Sequence, residues 1–150
     1  MIRGFEKRGY VLGRNLAFKR RGARGRFDLL PGLLDELVAS KVDLIVALGY
    51  PAAFTAKTRT TLPVVASDTG DPVSTGLVEN LARPNGHVTG VSDMTIELSP
   101  KRLQLLKELL PTLRRVAIIW NTADAGTVVR YQTSDAAAQT LGMAIGTGAA

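Results

Sequence analysis

The sequence predicts an α/β fold, a doubly wound parallel-sheet lobe followed by the start of a second, similar lobe. Three observations carry that prediction. The apolar runs "VDLIVAL" (42–48), "LPVVAS" (62–67) and "RVAIIW" (115–120) are continuous rather than alternating, as in strands covered on both faces. Stretches of helical periodicity lie between them, so strand and helix alternate along the chain. Each run ends in a polar or glycine-bearing loop that leads toward a helix start, as crossover connections require.

The elements follow in order. Residues 2–9 read as the end of a helix stopped by Gly9. "NLAFKR" (15–20) alternates with period two, Leu16 and Phe18 on one side, and predicts a strand. Asp28 is placed to cap the next helix. Leu30, Leu33, Leu34, Leu37 and Val38 form its single apolar stripe, with Pro31 tolerable in the first turn. After strand 42–48, Gly49-Tyr50-Pro51 turns into the helix "PAAFTAKTRT". Strand 62–67 is followed by a short helix at 73–82, a turn "RPNG" (83–86) and a short strand "HVTGVS" (87–92). Ser99 and Pro100 read as the cap and first residue of a helix lined by Leu103, Leu106 and Leu110 and stopped by Pro111. Strand 115–120, the loop "NTADAGT" (121–127), a helix to Leu141 with Gly142 as its stop, and a strand from "MAIGT" complete the pattern. A boundary falls at residues 91–98, dividing a first lobe (1–92) from a crossing (93–98) and the start of a second lobe (99–150).

Composition narrows the function classes. The 150 residues are 45% hydrophobic and 21% charged, ordinary for a soluble domain. Cysteine is absent, which removes disulfide and thiolate chemistry, and His87 is the one histidine. Asp and Glu are scattered singly, so no metal site and no cofactor is indicated. No apolar run approaches a membrane span, and the start "MIRGFEKRGY" has no apolar signal region. The net charge of +6 is uneven: residues 1–26 hold nine Lys or Arg against one Glu. A solvated face explains this charge, and Phe5, Tyr10 and Phe18 are spaced as packing residues. The alternative is a basic nucleic-acid-binding or regulatory module using residues 3–26. No specific nucleic acid is expected, because no aromatic platform accompanies the charge.

Asp68-Thr69-Gly70 is the local signature of an aspartic protease. Those enzymes place two such carboxylates in one all-β site. Here a single triplet sits between a buried strand and a helix, and the chemistry is missing its context. "GTGAA" (146–150) contains Gly-x-Gly with no helix behind it, which is equally weak. Trp120, at a strand end, reads as core.

Position offers another reading. Open α/β sheets bind ligands at the carboxyl ends of their strands. The loops "GYPAA", "SDTGDP" and "WNTADAG" occupy that place. Free amides at helix starts favour a carboxylate or phosphate, and Asp68 and Asp71 can accept from an ammonium group. Such a set suits a zwitterion. Taken singly, Gly70 and Pro72 shape a turn and Asp71 caps the helix expected at 73–82.

The segments "GYVLGRNLAF", "VDLIVALGYPAAFTAK", "LPVVASDTGDPVSTGLVENLARPNGHVTGVS", "SPKRLQLLKELLPTLRRVAIIWN" and "AAQTLGM" resemble, in order and spacing, the substrate-binding proteins of ABC transporters of the tryptophan/tyrosine-binding type. These are type I periplasmic binding proteins with Rossmann-like lobes. The resemblance implies a receptor that performs no chemistry and is not an enzyme. It would hold a small ligand, an amino acid or similar solute, in an inter-lobe cleft, close by hinge motion and meet ABC permease subunits in the periplasm. It implies ligand-lining roles for Gly49, Tyr50, Pro51 and Ala52 (to Ala53), for Thr69, Gly70 and Asp71 (to Pro72), and for Asn121. Tyr50 departs from the family's small polar residue and His87 from its usual Asn; His87 is expected to face solvent or a turn. The resemblance further implies that this chain is an internal part of a receptor about twice as long. Alone it would expose unpaired strand edges, be marginally stable and self-associate.

Overall fold

The structure is a computed structural model and describes residues 2–84 and 86–149. It divides between Val42 and Asp43 into two compact units.

The first unit holds α1 (Ile2–Glu6), a 3₁₀ turn (Phe27–Leu29) and α2 (Leu30–Ala39). Gly9, at φ +85°, follows the end of α1, and Phe5 and Tyr10 meet edge to face at 6.0 Å. The strand expected at 15–20 does not form. Its only pairing among the described residues is a bridge between Leu12 and Leu16, and Phe18 is exposed. Asn15 explains part of this: its Oδ1 accepts from the Val11 amide and its Nδ2 donates to the Gly9 carbonyl, folding the chain on itself. Asp28 does not cap α2 either. It sits inside the 3₁₀ turn paired with Arg26 at 3.0 Å, and the cap residue is Leu29, without a side-chain bond. Pro31 occupies the first turn of α2, and Leu34 is its buried residue.

The second unit has two parallel sheets. In the first, β1 (Ile45–Leu48), β2 (Val64–Ser67) and β3 (Val88–Val91) lie side by side in that order. The helix α3 (Tyr50–Arg59) crosses from β1 to β2. Ala53 and Ala56 are essentially buried, and their small side chains let α3 lie close on the strands. Ile45, Ala47, Val64, Ala66 and Val88 fill the core from the sheet.

The β2–β3 connection, expected to be helical over 73–82, is a series of turns. The Asp71 carbonyl accepts from both the amide and the hydroxyl of Thr75, and Gly76 reverses φ to +70°, so no second helical turn starts. The segment instead buries Leu77 and Val78, and Leu77 is among the most enclosed side chains.

The second sheet pairs β4 (Arg115–Trp120) with β5 (Ala144–Ala149). Two helices accompany it, α4 (Thr95–Leu109) and α5 (Ala125–Thr140). Leu103, Ala138 and Met143 form its core, with Val116 and Ile145 packed against them. β4 is not covered on both faces as its apolar run suggests. Alternate residues are exposed, Ile119 to 83%, because only one face is covered by a helix.

α4 starts earlier than the Ser99-Pro100 signal suggests. Asp93 Oδ1 accepts from the Thr95 amide and begins the helix there. Pro100 lies inside it, and the Ser99 hydroxyl, far from capping, donates back to the Thr95 carbonyl at 2.7 Å. His87 lies in a turn with its ring half-buried. Among the described residues no helix is long and apolar enough to cross a membrane.

Candidate functional site

The carboxyl ends of β1 and β2 and the loop after β4 converge within the second unit. At the end of β1, Gly49 takes φ +83° and donates to the Ser67 carbonyl at 2.9 Å, tying the first two loops together. It is also the cap residue of α3, and its carbonyl accepts from the Ala53 amide. Tyr50 is the next residue. Its hydroxyl donates to the Thr75 carbonyl at 3.2 Å and its ring stacks on Phe54 at 5.6 Å. Pro51 and Ala52 are half-buried in the first turn of α3, and the Pro51 carbonyl is taken by Thr55.

At the end of β2, Asp68 is held at φ +58°. That left-handed conformation is uncommon for a residue with a side chain, and such strain gathers at functional sites. Thr69 is buried at 2% exposure, and Gly70 is buried at φ +72°. Asp71 turns outward from this group: its Oδ1 accepts from the Val73 amide at 3.0 Å.

The third loop comes from the second sheet. Asn121 is exposed, and its Oδ1 closes a turn onto the Ala123 amide at 2.9 Å. Asp124 caps α5 by accepting from the Gly126 amide at 2.9 Å. Gly126 is the point of contact. A Cβ built on it would stand 3.0 Å from the Thr69 carbonyl oxygen and 3.3 Å from Tyr50 Cβ. The structure therefore brings Tyr50, Thr69 and Gly70 together, and leaves Asp71 and Asn121 engaged in their own turns.

Residues without a part in the sequence reading of the site complete the group. Ser92 donates to the Gly70 carbonyl at 3.4 Å from the end of β3. Asp93 lies beside it. Burial pushes its carboxyl upward, but hydrogen bonds with Thr95 and with the Asp68 side chain, and the charge of Arg130, together hold it below its ordinary value. Burial, and secondarily the charge of Asp124, push the Tyr50 hydroxyl above its ordinary value. Arg130 of α5 has a buried Nε with no acceptor among the described residues. Applying the strand-end rule to β3 would have found Ser92 and Asp93. Asp124 carried the signal of a cap immediately before α5. Gly126 lay in the loop "WNTADAG" without being singled out, and Arg130 had no local signal.

Carboxylates, hydroxyls and backbone amides surround the junction, and no three metal-ligating side chains group together among the described residues. A cavity of about 50 Å³ that reaches Thr69 and Ser92 lies against β3 and the 72–84 segment, lined by Leu77 and Val88 among others, and includes neither Tyr50 nor Gly126.

The description "ABC transporter substrate binding protein" matches residues 1–150. A curated relative, the "Tyrosine-binding protein" of Clostridioides difficile (strain R20291), is 31% identical over 134 residues, covering 88% of this chain and 38% of that protein. A conserved domain protein from Vibrio cholerae O1 superposes with a TM-score of 0.92 at 28% identity, over 99% of this chain and 50% of the other. A Streptococcus pneumonia ABC domain in complex with L-Trp gives 0.86 at 27% identity, again over 99% of this chain and 50% of that one. The chain thus spans about half the length of the solved structures it matches. It belongs to the family of ABC transporter substrate-binding proteins.

Proposed function

We propose that this chain supplies much of the binding cleft of a solute receptor for an ABC importer, one that takes an amino acid and carries out no covalent chemistry. The observation that carries the reading is the meeting of the β1, β2 and post-β4 loops at Gly126, in a chain of this family. The names of two relatives, a tyrosine-binding protein and an L-Trp complex, support the amino-acid class. Gly49 to Ala52, Thr69 to Asp71 and Asn121 remain our ligand-lining set, to which Asp93 and Arg130 are added as charged groups for a zwitterion. We place the lobe boundary at the crossing 93–98, with residues 1–92 before it and 99–150 after it; the separation of β1–β3 from β4–β5 supports a boundary there. The receptor works outside the cytoplasm, and its partner is a membrane permease.

The test is thermal melting of the protein against the twenty common amino acids, with each mixture assayed for altered ligand. A saturable rise in Tm for one or a few of them, with the ligand recovered intact, is the expected result. At a ligand concentration about one hundred times Kd the stabilisation is about 2.7 kcal/mol, easily read as a shift. No shift with any amino acid, or turnover of one, overturns the reading.

A further inference from the structure

We infer that Gly126 is the closure-determining residue of the site, the point at which a side chain would hold the two sides of the cleft apart. The inference rests on the receptor reading and adds to it the residue that sets how far the cleft can shut. Three fixed groups surround the missing side chain. The Thr69 carbonyl, 3.0 Å from an ideal Cβ, is backbone in a residue 2% exposed. Asp124 Oδ1, at 3.2 Å, is already bonded to the Gly126 amide. Tyr50 Cβ, at 3.3 Å, belongs to a side chain held at its hydroxyl by Thr75 and at its ring by Phe54. None of them can swing away as the end of a flexible chain would.

The approach is matched from the other side. Gly70, at φ +72°, points its own missing side chain at Gly126, with the carbonyl oxygen 3.5 Å and Cα 3.7 Å from an ideal Cβ. Two glycines thus meet backbone to backbone. With α5 and the 69–70 loop in backbone contact at Gly126 and Gly70, an amino acid enters between them only if they first separate. Return to contact then requires the absence of a side chain at 126. Loss of the closed population lowers apparent affinity in proportion, since the observed Kd is the intrinsic one divided by the competent fraction.

The chain has no cysteine, so spin labels can be placed at Ser74→Cys and Gln132→Cys, both exposed and on opposite sides of the contact. Electron–electron distances are measured for the wild type, Gly126→Ala, Gly126→Val and, as a control on the same helix, Ala136→Val, an exposed position. The expected result is a lengthened distance for Gly126→Val, a smaller change for Gly126→Ala and none for Ala136→Val. L-tyrosine and L-tryptophan are the probes, and Kd should rise about tenfold or more for Gly126→Val. Circular dichroism confirms folding; if the valine variant unfolds, the alanine variant carries the test. An unchanged distance in the folded Gly126 variants overturns the inference. Lengthening in those variants upholds the closure role; the receptor reading itself falls if none of the twenty amino acids shifts the wild-type melt.

Discussion

Replacing Gly90 with alanine should be among the most damaging single-methyl changes available to this chain. Gly90 lies in β3 opposite Ala66 of β2. A Cβ built there would stand 2.0 Å from the Ala66 carbonyl oxygen, 2.8 Å from its carbon and 3.0 Å from its nitrogen. Carbon and oxygen normally approach no closer than about 3.3 Å, so the overlap exceeds about 1 Å. The obstacle is backbone, and no rotamer relieves it. β3 must shift away from β2, weakening ladder bonds worth about 1 kcal/mol each and drawing Val88 (4% exposed) out of the core. Overpacking costs about 1–3 kcal/mol and sometimes more; a backbone clash belongs at the top of that range, about 3 kcal/mol. For a chain of this length that lowers Tm by about 10 °C. The control is Gly146→Ala in β5, where nothing lies within 4 Å of the added methyl. It should be neutral or stabilising by about 0.5 kcal/mol, through reduced freedom of the unfolded chain. Thermal and urea unfolding followed by far-ultraviolet circular dichroism reads both. If Gly90→Ala melts with the wild type, the steric argument is wrong, whatever the control does.

Three further outcomes are expected. Asp124→Ala removes the cap of α5 and should cost about 1 kcal/mol by urea unfolding; it should also bring the Tyr50 hydroxyl part of the way back toward its ordinary value in an ultraviolet titration, burial being the larger cause of its rise. Asp93, with its carboxyl depressed in the folded state, stabilises fully above its unfolded value of about 3.9 and progressively less as pH falls through the lower folded value. The difference in urea midpoint between wild type and Asp93→Asn should therefore be constant from about pH 7 to 5 and shrink below about 4. Leu103→Ala, in the core of the second sheet, should cost about 2–5 kcal/mol by the same assay.

What was legible in the sequence was set by short-range pattern. The apolar runs located β1, β2 and β4, and the loops at their ends are the ones that converge. Apart from β4, whose second face lacks a covering helix, the errors share one cause, a local signal overridden by a competing hydrogen bond. Asn15 bonded the backbone that was to become a strand, and Arg26 took the carboxylate that was to cap α2. Thr75 claimed the Asp71 carbonyl at the start of the expected helix, and Gly76 then turned the chain. At Ser99 the hydroxyl turned back to Thr95, because Asp93 had already begun the helix one turn earlier. Composition cannot rank such partners, since each is chosen by distances that exist only after folding.

The site shows the same division more sharply. The chain contains two Asp-x-Gly triplets at strand-end loops, Asp68-Thr69-Gly70 and Asp124-Ala125-Gly126. Locally they differ little, yet the fold gives their parts opposite tasks. In the first, Asp68 bears the left-handed strain and Gly70 needs its positive φ. In the second, Asp124 is an ordinary cap, and Gly126 is needed for the side chain it lacks, since another loop occupies that space. A glycine required by its own dihedral leaves a trace in the turn around it. A glycine required by a neighbour across the fold leaves none, because the reason is written in residues 50 and 69. That is why the first triplet stands out as a protease motif, while the second is visible only as part of the strand-end loop "WNTADAG", with nothing to single out its glycine.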